Sequence, residues 1–146
     1  METVSPAEQE MRKLNMELRY FEQTAEALQQ RLSMLNAAMT DLTYANMTLE
    51  SIEKEKENAE MLVPIGGSSY INVKLANPDK VIVGMGSGVS VEKTLPEAKD
   101  LMKQRLSDLE KTRAQAEQQL SQVIDRINQG RTRMESLLST IRQGTQ

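Results

Sequence analysis

From Met11 onward the apolar residues recur at alternating spacings of three and four: Met11, Leu14, Leu18, Phe21, Ala25, Leu28, Leu32, Leu35, Met39, Leu42, Asn46 and Leu49. Eleven of these twelve positions are apolar, a heptad seam sustained for more than five repeats. Ser5-Pro6-Ala7-Glu8 supplies a start signal, with Ser as N-cap, Pro at the first helical position and Glu placed to reach back to the cap. The pattern predicts a helix from about residue 6 to residue 60. Such a helix is on the order of 80 Å long at 1.5 Å per residue. A chain this short cannot wrap it, so the reading is a protruding rod.

The last third repeats the device. Thr94-Leu95-Pro96-Glu97 offers a second cap, and Met102, Leu106, Leu109, Arg113, Ala116, Leu120, Val123, Ile127, Gly130, Met134, Leu137 and Ile141 follow the same spacing. Arg113 and Gly130 interrupt the apolar seam. A mid-helix Gly costs roughly 0.5–1 kcal/mol relative to Ala, so Gly130 reads either as a place where the arm splays or as a tolerated glycine. Asn46 reads as a polar seam residue that fixes register; alternatively it marks where the first helix stops pairing.

Between the helices the period changes from seven to two. Ile71, Val73 and Leu75 share one face of Tyr70–Leu75, and Val81-Ile82-Val83 and Val89-Ser90-Val91 are rich in β-branched residues. Asn77-Pro78-Asp79 supplies turn chemistry, and Gly66-Gly67 and the Gly84–Gly88 run punctuate the segment. Two consecutive hairpins are expected over residues 62–94, with no third layer in the chain to cover them, so they should pair with β segments of other subunits. The fold class is α+β: a long antiparallel coiled-coil hairpin, helix 1–61 and helix 95–146, flanking the oligomerisation segment 62–94 in a single domain. Centring the fold-back near residue 78 sets Glu60 near Glu97, Leu28 near Gln129 and Phe21 near Ser136, with both termini at one distal tip. Apolar residues outside the seam, Met16 and Leu138, cluster there. An apolar surface that its own pair cannot bury is a binding surface or a liability.

Composition narrows the chemistry. One Phe, three Tyr and no Trp are too few aromatics for a broad core, which favours thin helix pairing. Residues 1–60 hold 12 acidic and 6 basic side chains, and residues 96–146 hold 7 and 9, so the two ends attract. With no Cys and no His, thiolate, zinc and imidazole chemistry are not expected, and the scattered carboxylates suggest no catalytic pair: no enzyme, cofactor or metal is expected. The Gly84–Gly88 run runs on into Val89-Ser90-Val91 as strand and lacks the Lys and helix N-terminus of a phosphate loop. The cluster Arg126, Arg131 and Arg133 has no interleaved aromatics, so nucleic acid is not an expected partner. No apolar run approaches a membrane span and no leader is evident, so the expected location is the cytoplasm. Of the ten Met residues, which could mould to many partners, Met39, Met85 and Met102 sit on seam or strand positions and most are expected in the core.

The order of parts, the stretch Leu62-Val63-Pro64-Ile65-Gly66-Gly67-Ser68-Ser69-Tyr70-Ile71 and the stretch Val81-Ile82-Val83-Gly84-Met85-Gly86-Ser87-Gly88-Val89 resemble the α-class subunits of prefoldin. These share a Val-Pro-hydrophobic-Gly entry to the first strands and a Gly-x-Gly-small-Gly crossing between the hairpins. The resemblance implies a hexamer of two α-class and four smaller β-class subunits with an intersubunit β-barrel. It also implies an ATP-independent holdase that grips unfolded polypeptides at its arm tips and passes them to a group II chaperonin. The client-contact role falls on Met11, Leu14, Met16, Leu18, Phe21, Met134, Leu137, Leu138 and Ile141, for which plain packing is the competing reading. The oligomerisation role falls on Val63, Ile65, Tyr70, Ile71, Val73, Leu75, Val81, Ile82, Val83, Val89 and Val91. The alternative function is a coiled-coil scaffold or a filament-forming spacer.

Overall fold

The computed structural model describes residues 3–144 and has the element order α1 (Pro6–Glu53), β1 (Glu60–Gly66), β2 (Ser69–Lys74), β3 (Lys80–Gly86), β4 (Val89–Thr94) and α2 (Leu95–Gly144). Residues 1–2 and 145–146, at the outer ends of the two expected helical segments, lie outside the described residues. Two long helices flank two antiparallel hairpins, as the change of period requires. Both capping boxes form. The Glu8 amide donates to Ser5 Oγ at 3.2 Å while the Ser5 amide donates to the Glu8 carboxylate, and Glu97 and Thr94 repeat the exchange.

All twelve seam positions of α1 and all twelve of α2 are buried or half-buried. The first helix nevertheless stops at Glu53, short of the expected residue 60. After Ile52 the seam has no apolar residue to bury, and Lys54 and Glu55 close the last turn with bonds to Ser51 and Ile52. Asn58 then takes a positive φ of 66°, its amide donates to the Leu75 carbonyl, and the chain enters β1. The shortened helix moves the midpoint of the fold-back toward the N-terminus, which changes the pairing. Phe21 meets Arg126, not Ser136, and Glu53 meets Lys99.

The chain forms two compact units. One joins α1 up to Asn36 with α2 from Lys111 onward. Its core is Leu18, Ala25 and Ile127, with Leu14, Phe21, Leu120, Val123 and Met134 packed against them. The other unit, Ala37–Glu110, holds both hairpins and a second core of Leu49, Val83, Leu95 and Ala98.

The hairpins are built to one plan, twenty residues apart in sequence. β1 pairs with β2 from Glu60↔Lys74 to Gly66↔Ser69, and β3 with β4 from Lys80↔Thr94 to Gly86↔Val89. Each has a bulge at the same place, at Ile65 and at Met85, followed by a glycine near φ 100° that a side chain would strain. Each turns through two residues of positive φ, Gly67-Ser68 and Ser87-Gly88, the two-residue turn whose twist suits a hairpin. The Gly84–Gly88 run therefore makes the turn inside the second hairpin and is not the crossing between hairpins. That crossing is Leu75–Asp79, where the Asp79 amide donates to Asn77 Oδ1 at 3.0 Å.

The expectation that neither hairpin is covered within the chain needs correction. Val83 of β3 is 1% exposed, enclosed by Leu49, Leu95 and Ala98 of the helices. Arg105 of α2 adds a bond from Nη2 to the Gly84 carbonyl at 2.8 Å. The first hairpin has no equivalent: Leu62, Val63, Ile65, Tyr70 and Ile71 all remain exposed.

Candidate functional site

Two surfaces carry the residues singled out in the sequence. In the hairpin unit, Val63, Ile65, Tyr70, Ile71, Ile82, Val89 and Val91 are exposed, Val73, Leu75 and Val81 are half-buried, and Val83 is buried on the helices. Leu62, exposed at 67%, and Met85 add to the exposed apolar side chains of this unit, although the sequence pattern did not single them out. Among the described residues each hairpin hydrogen-bonds as a separate two-stranded sheet, so every outer strand edge offers free N–H and C=O groups. Cross-strand pairing puts Val63 beside Ile71 on one face, and Leu62, Pro64 and Tyr70 on the other. Glu60, Asn72 and Lys74 share the Leu62 face, and the exposed apolar side chains on both faces of this two-stranded ribbon call for cover.

The second surface lies in the unit that joins the start of α1 to the end of α2. Leu18 and Leu137 are buried, Met11, Leu14, Phe21, Met134 and Ile141 are half-buried, and Met16 and Leu138 are exposed. The expected client residues are thus partly seam and partly surface. Leu14, Leu18 and Phe21 come together in an open cleft of about 450 Å³, completed by Glu17, Arg126, Gln129, Gly130 and Arg133. Met16 and the α2 residues Met134, Leu137, Leu138 and Ile141 do not line it; Leu138 borders a separate shallow depression with Arg142.

Gly130 neither splays the helices nor sits there idly. A Cβ on it would lie 2.6 Å from Leu18 Cδ2 and 3.7 Å from Leu14 Cδ1, so glycine lets α1 side chains pass close to the α2 backbone. No local motif marks this role; only the seam spacing shows that residue 130 faces the partner helix.

The charge asymmetry of the sequence resolves into pairs of one polarity. Glu10 with Arg133, Glu22 with Arg131 and Glu53 with Lys99 each join an acid of α1 to a base of α2. Arg133 holds Glu10 with two bonds, 2.8 and 3.0 Å, and these lower the Glu10 carboxyl below its ordinary value and raise the Arg133 guanidinium. The 2.6 Å bond between Lys99 and Glu53 likewise lowers Glu53 and raises Lys99. Arg126 does something else: its guanidinium lies 5.7 Å from the centre of the Phe21 ring, in cation–π range.

Asn46 sits half-buried in the seam with its Oδ1 buried and without a hydrogen bond. Met39 is buried and Met102 half-buried as expected, whereas Met85 is exposed, as are Met16, Met34 and Met47. No group of acidic side chains among the described residues could hold a metal ion, and no described helix is long and apolar enough to cross a membrane.

Known proteins share this arrangement. The family model described as "Prefoldin subunit" matches residues 21–139. The prefoldin subunit alpha of Methanococcoides burtonii is 35% identical over 72% of this chain and 76% of its own length, and that of Methanosarcina barkeri is 35% identical over 74% and 77%. Filamentous PFD from Methanocaldococcus jannaschii, solved by cryo-EM, superposes with a TM-score of 0.69 at 26% identity, covering 79% of this chain and 95% of that one. The prefoldin beta subunit of Thermococcus strain KS-1 shares the fold, with a TM-score of 0.59 at 15% identity over 93% and 96% of the two chains. Heptads alone would match many coiled coils, but heptads flanking this double hairpin, together with relatives that align across most of their own length, place the chain in the prefoldin family of chaperone subunits, among its alpha subunits.

Proposed function

We propose that the chain is the α-class subunit of an ATP-independent holdase, working in the cytoplasm in a hexamer of two such chains and four β-class subunits. In this reading the hairpins build an intersubunit β-barrel. The paired ends of α1 and α2 capture unfolded polypeptides, which pass to a group II chaperonin. The observation that carries the reading is the open cleft at Leu14, Leu18 and Phe21 between the start of α1 and the end of α2, with Met16 and Leu138 exposed elsewhere in the same unit. A spacer with a sealed seam has no use for such an opening. Met11, Leu14, Phe21, Met134 and Ile141 would serve the client at the edges of the seam, while buried Leu18 and Leu137 hold the helices together. Each contact is weak, and several arms on one body raise the effective concentration for the next.

The test is light scattering from a chemically unfolded client diluted without nucleotide, with and without the assembled complex. Suppression at near-stoichiometric amounts is expected. Removing residues 1–21 and 126–146, and with them the cleft, should abolish it while leaving the assembly its size. A truncated complex that still suppresses scattering would refute the assignment of capture to these ends.

The likeness to filamentous PFD favours a second reading, in which the chain alone assembles through its hairpins into a spacer filament. Purified without any partner, it would then elongate with concentration in sedimentation velocity, while the heterohexamer reading expects small oligomers until β-class subunits are added.

A further inference from the structure

The seam spacing sets Glu10 across from Arg133 and, one heptad further in on each helix, Glu17 across from Arg126. The outer pair closes into a two-bonded bridge. The inner pair does not. Glu17 and Arg126 form no ion pair among the described residues; both are exposed, both line the mouth of the cleft, and Arg126 is stacked over Phe21. A bridge there would roof the cleft as the outer bridge closes its own turn.

What would fill the opening follows from its chemistry. Its apolar lining is Leu14, Leu18 and Phe21, with Leu18 seated on Gly130, a place for one apolar side chain. The lining also offers donors, Arg126, Gln129 and Arg133, and one carboxylate acceptor, Glu17. A carboxylate ligand would meet Glu17 and a cation would meet Arg126. A peptide group, with its C=O and N–H, satisfies both. In folded proteins these groups are already paired, and only an unfolded segment has them to offer.

We propose that this cleft reads the polypeptide backbone: it takes one apolar side chain of an extended segment on its floor while Arg126 donates to a carbonyl and Glu17 accepts from an amide N–H of that segment. The proposal rests on the holdase reading and names what the site recognises, extended chain with an apolar side chain irrespective of sequence.

Phe21 is the single Phe of the chain, so 4-fluorophenylalanine incorporated in the full-length protein gives one fluorine signal at the site. The probes are acetyl-Gly-Leu-Gly-amide, the same peptide N-methylated at Leu and the following Gly, and acetyl-Gly-Asp-Gly-amide. The Leu peptide should shift the signal, and N-methylation should weaken binding about tenfold, the loss of one charge-assisted hydrogen bond. Glu17→Ala should bind both Leu peptides equally and as weakly as the wild type binds the methylated one. Equal binding of the two Leu peptides by the wild type, or tighter binding of the Asp peptide, would overturn the proposal. Scattering assays run in parallel separate the two readings: suppressed aggregation with a silent Phe21 signal removes the backbone site and leaves the holdase, whereas a responsive Phe21 without suppression does the reverse.

Discussion

The contact of Gly130 with Leu18 gives a sharp test of the helix pairing. In an uncrowded helix, Gly130→Ala would stabilise by about 1 kcal/mol through propensity alone. Here the new methyl would lie 2.6 Å from Leu18 Cδ2 and 3.3 Å from Cγ, well inside the ~3.5–4.0 Å of ordinary carbon contact. The Cδ2 methyl can rotate away, but Cγ is tied to a buried side chain in a packed seam. Overpacking of this kind costs about 1–3 kcal/mol. The net expectation for Gly130→Ala is a loss of roughly 0–2 kcal/mol. In a Leu18→Ala background the obstruction is gone, and the same substitution should stabilise by about 1 kcal/mol. The coupling between the two sites is then about 1–3 kcal/mol, measurable in a double-mutant cycle. Thermal and urea unfolding followed by circular dichroism supply the values, at one fixed protein concentration because association shifts the midpoint. If Gly130→Ala stabilised by about 1 kcal/mol in both backgrounds, the close approach of the helices at this point would be wrong.

Three further outcomes follow from the same geometry. Glu10 and Glu53 have lowered carboxyl values, so their bridges contribute fully above the ordinary carboxylate range and are lost as pH falls through the lowered values; Lys99 and Arg133 are raised, and their share is lost only in strong alkali. An acid titration of helicity should therefore show a step below about pH 4.5 that Glu10→Gln with Glu53→Gln reduces, and an unchanged step would show that the bridges add nothing. Asn46→Leu removes a buried acceptor that has no partner and should stabilise the chain by about 1–3 kcal/mol in the same melts, with a loss of stability indicating that the amide is satisfied. Amide hydrogen exchange on the chain alone should protect β3–β4 more than β1–β2, and Arg105→Gln should reduce protection in the second hairpin only; equal protection of both hairpins would contradict the anchoring by Val83 and Arg105.

The helices were legible because a seam is a one-dimensional code: every position from Met11 to Leu49 and from Met102 to Ile141 that the spacing picks out is turned from solvent. The caps were legible for the same reason, since Ser5 with Glu8 and Thr94 with Glu97 act within one turn. What spacing could not give was the offset between the helices. That offset depends on where α1 ends, and the end is decided by the charged run after Ile52 and by Asn58 bonding to Leu75, the residue that follows β2. An error of a few residues there moved Phe21 from Ser136 to Arg126, and with it hid the cleft.

The same limit explains the hairpins. Their period and turn residues lay in the sequence, but the two ribbons look alike there, twenty residues apart with matching bulges. Their difference is tertiary. Val81 and Val83 share one face with Val91 and Lys93 and turn their opposite face, Gly84, Ser90 and Glu92 around Ile82, toward solvent. The first hairpin sets Met61, Val63, Ile71 and Val73 on one side and mixes Leu62, Pro64 and Tyr70 with Glu60, Asn72 and Lys74 on the other. One ribbon thus buries Val83 on its own helices while Ile82, Met85, Val89 and Val91 stay exposed, and the other keeps Leu62, Val63, Ile65, Tyr70 and Ile71 exposed. Alternation alone did not hold that distinction, because the burial of Val83 depends on Leu49, Leu95 and Ala98, which the helices bring to it.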